Sequence, residues 1–460
     1  MKLKLYTLVL MIGGFYSTVS AQFEKLMDFT GNETGCYPYF AALLFDGTYL
    51  YGSNTNCGAN TDGVIFKILP DGSGFTKLYD LNDDVTGYGS ESTLTTDGTY
   101  LFGTTKGGGP NNHGTVYKLK KDGTDFTVLF DFPDEINGFY PEGGLYFDGT
   151  YLYGGTTNGG SNSGGVLYKI KPDGSDFSVV YNLGCVLSGC SIYGAVVSDG
   201  VYLYGMTVGG GAGNLGTVFR VKPDGSDFSI LMDMMDDPNG AWGYGSLVLD
   251  GTTLYGMTNN GGEDNRGTIF KIETDGSGYQ KLLDFDDDNG AQPLGSLILV
   301  GSTLYGMAEL GGVPYLGTLF QINTDGTGFT ILHEFDGPET GSLPFGTLVY
   351  VNGALFGMTN SGGANEQGVI FRYGEMTESV QNTIIETTAV SPNPNTGQFH
   401  INLSTTINAH APLNIHNLLG ALIYSGDFGN GDITLANITP GMYVFEIISD
   451  NKYTGSFIVE

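Results

Sequence analysis

The sequence predicts an all-β protein: a seven-bladed β-propeller closed by its own N-terminal strand, followed by a small C-terminal β-sandwich. Three observations lead there. The phrase Leu-(Tyr/Phe)-Gly occurs seven times, at Leu50, Leu101, Leu152, Leu203, Leu254, Leu304 and Leu355, its glycines 51 residues apart except for one step of 50. A period of about 40–50 residues made of short strands is the mark of propeller blades. Glycine numbers 76 in 460 residues without a collagen-like period, so these glycines belong to turns. Finally, one strand type is missing from the last repeat and present ahead of the first.

The chain opens with Lys2 and Lys4, an apolar run from Leu5 to Tyr16, and the small-residue stretch Val19-Ser20-Ala21. That order reads as a secretory signal peptide over residues 1–21, with the mature chain starting near Gln22. The apolar run is too short to cross a membrane comfortably, and no membrane span is expected in the mature chain. The formal charge of −31 argues against a nucleic-acid partner, because phosphate binding needs clustered Lys and Arg. An acidic surface of this kind is expected to keep an exported protein soluble.

Residues 22–374 hold the repeats, and each period carries four strand signals. An apolar run such as Gly245–Leu249 ends at Asp250-Gly251, read as a tight I′ hairpin turn with positive φ at both central residues. The Leu-Tyr-Gly strand follows, its glycine expected to let the backbone bend as it leaves the sheet. A loop with a Gly-Gly pair leads to Gly-Thr-x-Phe, as in Gly267–Ile272. Asp275-Gly276 then turns the chain into Tyr279–Phe285. Alternation such as Phe270 and Ile272 against Lys271 fits strands with one face inside.

The third strand occurs seven times, yet its Asp-Gly exit turn occurs six times, at Asp71, Asp122, Asp173, Asp224, Asp275 and Asp325. Phe23–Phe29 matches Tyr279–Phe285 and is expected to complete the last blade, leaving no open sheet edge. The tight hairpins then lie on one face of the disc, and the long variable loops on the other, where function in rigid scaffolds resides.

Four cysteines in an exported chain allow three disulfide pairings. Cys185 and Cys190 bracket a four-residue loop, which leaves Cys36 with Cys57, both on the long-loop face of one blade. Free buried thiols are the alternative reading.

The unit LYGMT-x-x-GG-x-x-x-x-GTIFKI resembles the tandem repeat called GloVer, found in exported bacterial proteins with C-terminal sorting signals. The resemblance covers about residues 23–374; the first copy departs, with Asn56-Cys57-Gly58 at the Gly-Gly position. It implies location and fold, since the family carries no established activity.

Residues 375–389 read as a polar linker, and 390–460 as the sandwich, with strands at Gln398–Leu403, Leu413–Asn417, Ala421–Tyr424, Met442–Ile448 and Tyr453–Val459. This segment resembles the type A sorting domain of the type IX secretion system, on Asn393-Pro394-Asn395, Gly397, Gly420 and Gly441-Met442-Tyr443. The resemblance implies the type IX machinery as a partner and a secreted or outer-membrane surface location. The basic residue usual at the end of that domain is replaced here by Glu460.

No nucleophile motif or metal-ligand spacing accompanies the five histidines. Acids gather at loop tips, as in Asp286-Asp287-Asp288, without the spacing of a dedicated Ca²⁺ loop, so no cofactor is expected. Aromatic residues are the better pointer. Phe40, Tyr193 and Tyr244 each lie seven residues before a hairpin glycine, and Phe345 eight before Gly353. Trp242 and, in an earlier repeat, Tyr140 lie close by. These six residues are the expected ligand site, ringing the tunnel mouth on the long-loop face; inter-blade packing is the competing role. The reading is a binding module for an extracellular glycan or protein, and not an enzyme. The alternatives are a polysaccharide hydrolase or lyase using loop carboxylates, and a structural surface component.

Overall fold

Short turns and alternating apolar residues leave each repeat one arrangement, a four-stranded antiparallel blade. The structure is a computed structural model; it describes residues 22–376 and, further on, 389–391, 397–402, 411–417, 422–429, 431–435, 438, 441–448 and 452–459. The expected leader, 1–21, and residues 377–388 of the expected linker lie outside the described residues.

In the first blade the strands run Leu44–Phe45, Leu50–Ser53, Val64–Ile68 and Thr76–Asp80, paired in that order from the axis outward. Five more blades repeat the order. The seventh takes Val349–Val351, Ala354–Met358 and Val369–Tyr373 from its own repeat and its outer strand, Phe23–Asp28, from the N-terminus. That strand pairs antiparallel with Val369–Tyr373. Asp28 accepts from the Ala364 amide at 2.7 Å, the role that Asp80 and Asp233 play for Ala59 and Ala212 in their own blades. Phe23 stacks on Phe371 of its adopted blade at 5.1 Å and on His333 of the sixth blade at 4.0 Å. His333 is thus a packing residue, and burial lowers its pKa.

Blades adhere through apolar clusters between neighbouring sheets. Tyr204, Met206 and Val218 of the fourth blade pack on Leu247, Leu254, Phe270 and Ile272 of the fifth. Burial of this kind is worth about 1.5–3 kcal/mol per large side chain.

Three local expectations need correction. The Leu-Tyr-Gly glycine does not mark a bend. It lies within the strand opposite the third-strand aromatic, as Gly256 pairs with Phe270. A Cβ on Gly256 would come within 2.6 Å of the Phe270 ring and 3.0 Å of Leu247. Only a bare backbone lets the ring lie across it.

The first hairpin is not a I′ turn in most blades. Of the described hairpins, Asn352-Gly353 in the seventh blade has positive φ at both central residues. In the first blade the Asp46 carboxylate shapes the reversal, accepting from the Thr48 and Tyr49 amides at 3.0 and 2.9 Å, while its other oxygen accepts from Tyr51 Oη. An Asx turn replaces two left-handed residues.

The innermost strand is also shorter than the run Gly245–Leu249, its ladder covering Val248–Asp250. The residues before it face the neighbouring blade instead. A Cβ on Gly245 would lie 2.3 Å from Gly295 O, and one on Gly295 2.1 Å from Gly346 O. Close backbone approach around the axis is what this row of glycines permits.

The C-terminal unit begins at Met376. One of its sheets holds Ala389–Ser391, Gln398–Asn402 and Asp432–Thr434; the other holds Leu422–Asp427, Pro412–Asn417, Gly441–Ile448 and Lys452–Val459. Phe399, Ile401 and Ile433 from the first share a core with Leu413, Ile415, Phe445 and Ile447 from the second. Among the described residues no helix is long and apolar enough to cross a membrane.

Candidate functional site at the axial mouth

Where innermost strands meet around an axis they leave a channel, and what lines it depends on one side chain per blade. Here a cavity of about 370 Å³ runs along the axis. Its waist is formed by Ala42, Thr93, Gly144, Ala195, Ser246, Ser296 and Thr347, one residue from each blade. Their hydroxyls stitch adjacent blades: Ser246 Oγ accepts from the Ala195 amide, Ser296 Oγ from Ser246, and Thr347 Oγ1 from Ser296, at 2.8–2.9 Å. Hydroxyls thus tie the fourth to seventh blades together at this level of the cavity.

Two residues before the waist, on the long-loop side, lies the register position of Phe40, Glu91, Glu142, Tyr193, Tyr244, Leu294 and Phe345. Four of these are the aromatics expected from the sequence. Phe40 and Tyr244 are nearly parallel with centroids 5.9 Å apart, and Tyr193 meets Tyr244 edge-on at 5.1 Å. The three come from the first, fourth and fifth blades and remain only partly covered. Phe345 is more buried and packs edge-on against Tyr39 at 4.9 Å, with Tyr39 in turn against Phe40. Trp242 and Tyr140 occupy a shared register position two residues further toward the rim, both with positive φ. Trp242 is 39% exposed, and its backbone ties the loop to Leu215 and Asn259. Tyr140 packs edge-on with Phe139 at 4.8 Å. The structure therefore gathers Phe40, Tyr193, Tyr244 and Phe345 at the mouth and leaves Trp242 and Tyr140 on its outer rim.

Glu91 and Glu142 are not set apart by the sequence pattern, since acids are also abundant at the loop tips. Aligning the repeats in strict register puts them among the aromatics. Both are buried, with 5% and 6% exposure, and both face Lys106, whose Nζ lies 3.5 Å from Glu91 Oε1 and 3.4 Å from Glu142 Oε2. Lys106 follows the Leu-Phe-Gly strand of the second blade; the same position in the sixth blade is Glu309.

Burial dominates the electrostatics. It pushes the Glu91 carboxyl up to about 7, Lys106 pulling back and Glu142 adding to the rise. Burial likewise raises Glu142, against the pull of Lys106. It alone raises Glu309, to about 6. Burial works to lower the Lys106 ammonium, but Glu91 and Glu142 outweigh it and raise its pKa. The mouth thus holds three carboxylates and one ammonium among aromatic rings, and the burial of its acids is only partly compensated.

The cysteines lie in the long loops of the same face. Cys36 is bonded to Cys57, and Cys185 to Cys190, with Cα separations of 5.5 and 4.8 Å. Cys57 takes the place of the first glycine of the pair and keeps its positive φ. Among the described residues no group of three His, Cys, Asp or Glu could hold a metal ion.

Comparison with known proteins adds the following. The Gloeobacter/Verrucomicrobia repeat matches residues 12–183, 146–312 and 248–433. No curated protein matches the chain. Among solved structures, PorZ, an essential bacterial surface component of the type IX secretion system of Porphyromonas gingivalis, aligns at 14% identity with a TM-score of 0.50. The alignment covers 94% of this chain and 61% of that one. The extracellular domain of a hybrid two-component system from B. thetaiotaomicron aligns at 13% identity with a TM-score of 0.50, covering 85% of this chain and 45% of that one. At such identities the likeness is one of fold, and the chain spans less than two thirds of either protein.

Proposed function

The chain belongs to the Gloeobacter/Verrucomicrobia repeat family, and from that premise we propose that it is an exported propeller that binds an extracellular glycan at the axial mouth of its long-loop face. The observation that carries the reading is the convergence of Phe40, Tyr193 and Tyr244, from three separate blades, at the opening of the axial cavity with their rings partly uncovered. Rings that served only to hold blades together would be buried between sheets, as Phe270 and Phe320 are. Partly uncovered rings beside hydrogen-bonding groups suit the apolar face and hydroxyl edge of a sugar.

Hydrolysis fits the geometry less well. Glycosidases hold two carboxylates across an open gap that the scissile bond enters. Here the Lys106 ammonium lies between Glu91 and Glu142, within 3.5 Å of both. The pair is tied to its own cation.

Export belongs to the same proposal. Residues 1–21 serve as the signal peptide. Residues 390–460 serve as a type A sorting domain that hands the propeller to the type IX secretion machinery, placing it outside the cell or on its surface.

Titration of the protein with a panel of oligosaccharides tests the binding reading. Saturable binding without new reducing ends is expected. Replacing both Phe40 and Tyr244 by Ala removes two anchors worth about 2 kcal/mol each, so affinity falls at least about 100-fold, while the melting temperature stays within a few degrees. Binding that survives the double substitution would place the site elsewhere.

A further inference from the structure

We propose that the axial mouth selects an amino sugar, a hexosamine unit whose protonated amine is held by Glu142, with Glu91 and Glu309 adding to the negative field around it, while its apolar ring face rests on Tyr244 and Tyr193. This rests on the glycan-binding reading above and names the substrate class for it.

Charge is the first argument. At the mouth two carboxylates, Glu91 and Glu142, share one ammonium, Lys106, and a third, Glu309, lies near Tyr39 and Tyr244. A uronic-acid chain would add anions to a site that already has too many and would be repelled. A neutral sugar would leave the excess where it is. An ammonium offsets it.

One hydrogen-bond position beside the mouth is unfilled. Glu91 is 5% exposed; its Oε1 faces Lys106, while its Oε2 is buried and has no hydrogen-bond partner. A buried carboxylate oxygen left bare is costly, and its place here is beside the mouth. Glu91 shares Lys106 with Glu142, which lines the cavity, and its charge is felt by Tyr39 and Tyr193.

The rings supply the third argument. Glu142, Tyr193 and Tyr244 line the same cavity, and Glu142 exerts the largest charge effect on both tyrosines, so a cation seated by that carboxylate is flanked by aromatic rings, whose quadrupoles attract it. Carboxylate and ring together recognise an alkylammonium better than either does alone.

Acid should weaken the selection. Glu91 faces Lys106, Glu142, Tyr39, Tyr88 and Tyr193, and its carboxyl titrates at about 7; that of Glu309 titrates at about 6. Below pH 7, once the sugar amine has taken up its proton, both carboxyls take up protons as well while the ligand has little more charge to gain. A preference that comes from the protein's carboxylates therefore fades in acid.

The test is calorimetric titration of the full chain with four probes: a β-1,4-linked glucosamine hexamer, its fully N-acetylated counterpart, a galacturonate hexamer and a lysine-containing peptide. At pH 6.5, where the sugar amine is substantially protonated, the glucosamine hexamer is expected to bind at least about tenfold more tightly than the N-acetylated one, and the galacturonate most weakly. The ratio should approach one in Glu142→Gln and shrink in Glu309→Gln. It is read within each variant, so a loss of folded protein does not imitate the effect. Equal affinity for the two hexamers overturns the amine selection and leaves the glycan site standing. Tighter binding of the peptide overturns the sugar as ligand. If no saccharide binds at all, the reading under Proposed function falls with it.

Discussion

A protein lacking residues 22–29 is expected to lose cooperative folding of the propeller. The deletion removes the outer strand Phe23–Asp28 and exposes the edge Val369–Tyr373. It also removes Phe29, which is fully buried and meets Phe66 of the first blade edge-on at 5.7 Å. Truncating one such ring costs about 3–5 kcal/mol, and the whole stability of a domain is about 5–15 kcal/mol. The bare edge should also promote aggregation. Urea unfolding followed by tyrosine fluorescence would show the loss as a broad, early transition. A peptide spanning residues 22–31, added in excess, should restore much of the cooperativity. A truncated protein with an unchanged midpoint would mean that the ring is closed by other contacts.

Glu91→Gln is expected to stabilise the propeller at pH 8 relative to its effect at pH 4.5. The folded-state carboxyl lies at about 7, above its ordinary value of 4.5. Between those two values the native state binds the proton that the unfolded chain releases, so stability falls as pH rises through this window. Once the pH is well above 7, the ionised form carries a penalty of about 3 kcal/mol, and glutamine does not. Glu142 and Glu309 are raised by burial as well, so the parent protein should soften over the same range. Denaturant unfolding of both proteins at pH 4.5 and pH 8 measures the change. An identical stability difference at the two pH values would show that Glu91 is not held in a low-dielectric site.

The fold was legible because its punctuation is chemical. Seven Leu-(Tyr/Phe)-Gly strands, with six exit turns after the third strand, can be reconciled only if Phe23–Phe29 belongs to the last blade, and that is where the ladder with Val369–Tyr373 places it. The disulfide Cys36–Cys57 was legible for a similar reason, since both residues fall in loops of one face. Less could be read of how glycine and aspartate were used. Gly256 follows strand geometry, and only the Phe270 ring lying against it reveals its purpose. Asp46 forms its turn with a carboxylate, where the sequence pattern alone pointed to left-handed backbone.

The site was half legible. Aromatic residues stand out against a glycine-rich background, so Phe40, Tyr193, Tyr244 and Phe345 were visible at one repeat position. Glu91 and Glu142 occupy that same position, but nothing in composition separates them from the many surface acids of a chain with charge −31. What sets them apart is burial and the shared Lys106. Both follow from the packing of the second blade against the third, which sets Lys106 between the two carboxylates.

Hydrogen–deuterium exchange of the full chain, with and without a saturating glycan, tests the location of function most directly. Slowed exchange is expected in the mouth segments 37–43, 89–93, 140–144 and 191–195 and in the loop around Lys106, with the hairpin turns at 46–48 and 71–73 unchanged. Protection confined to the hairpin face or to the outer strands would contradict the axial site.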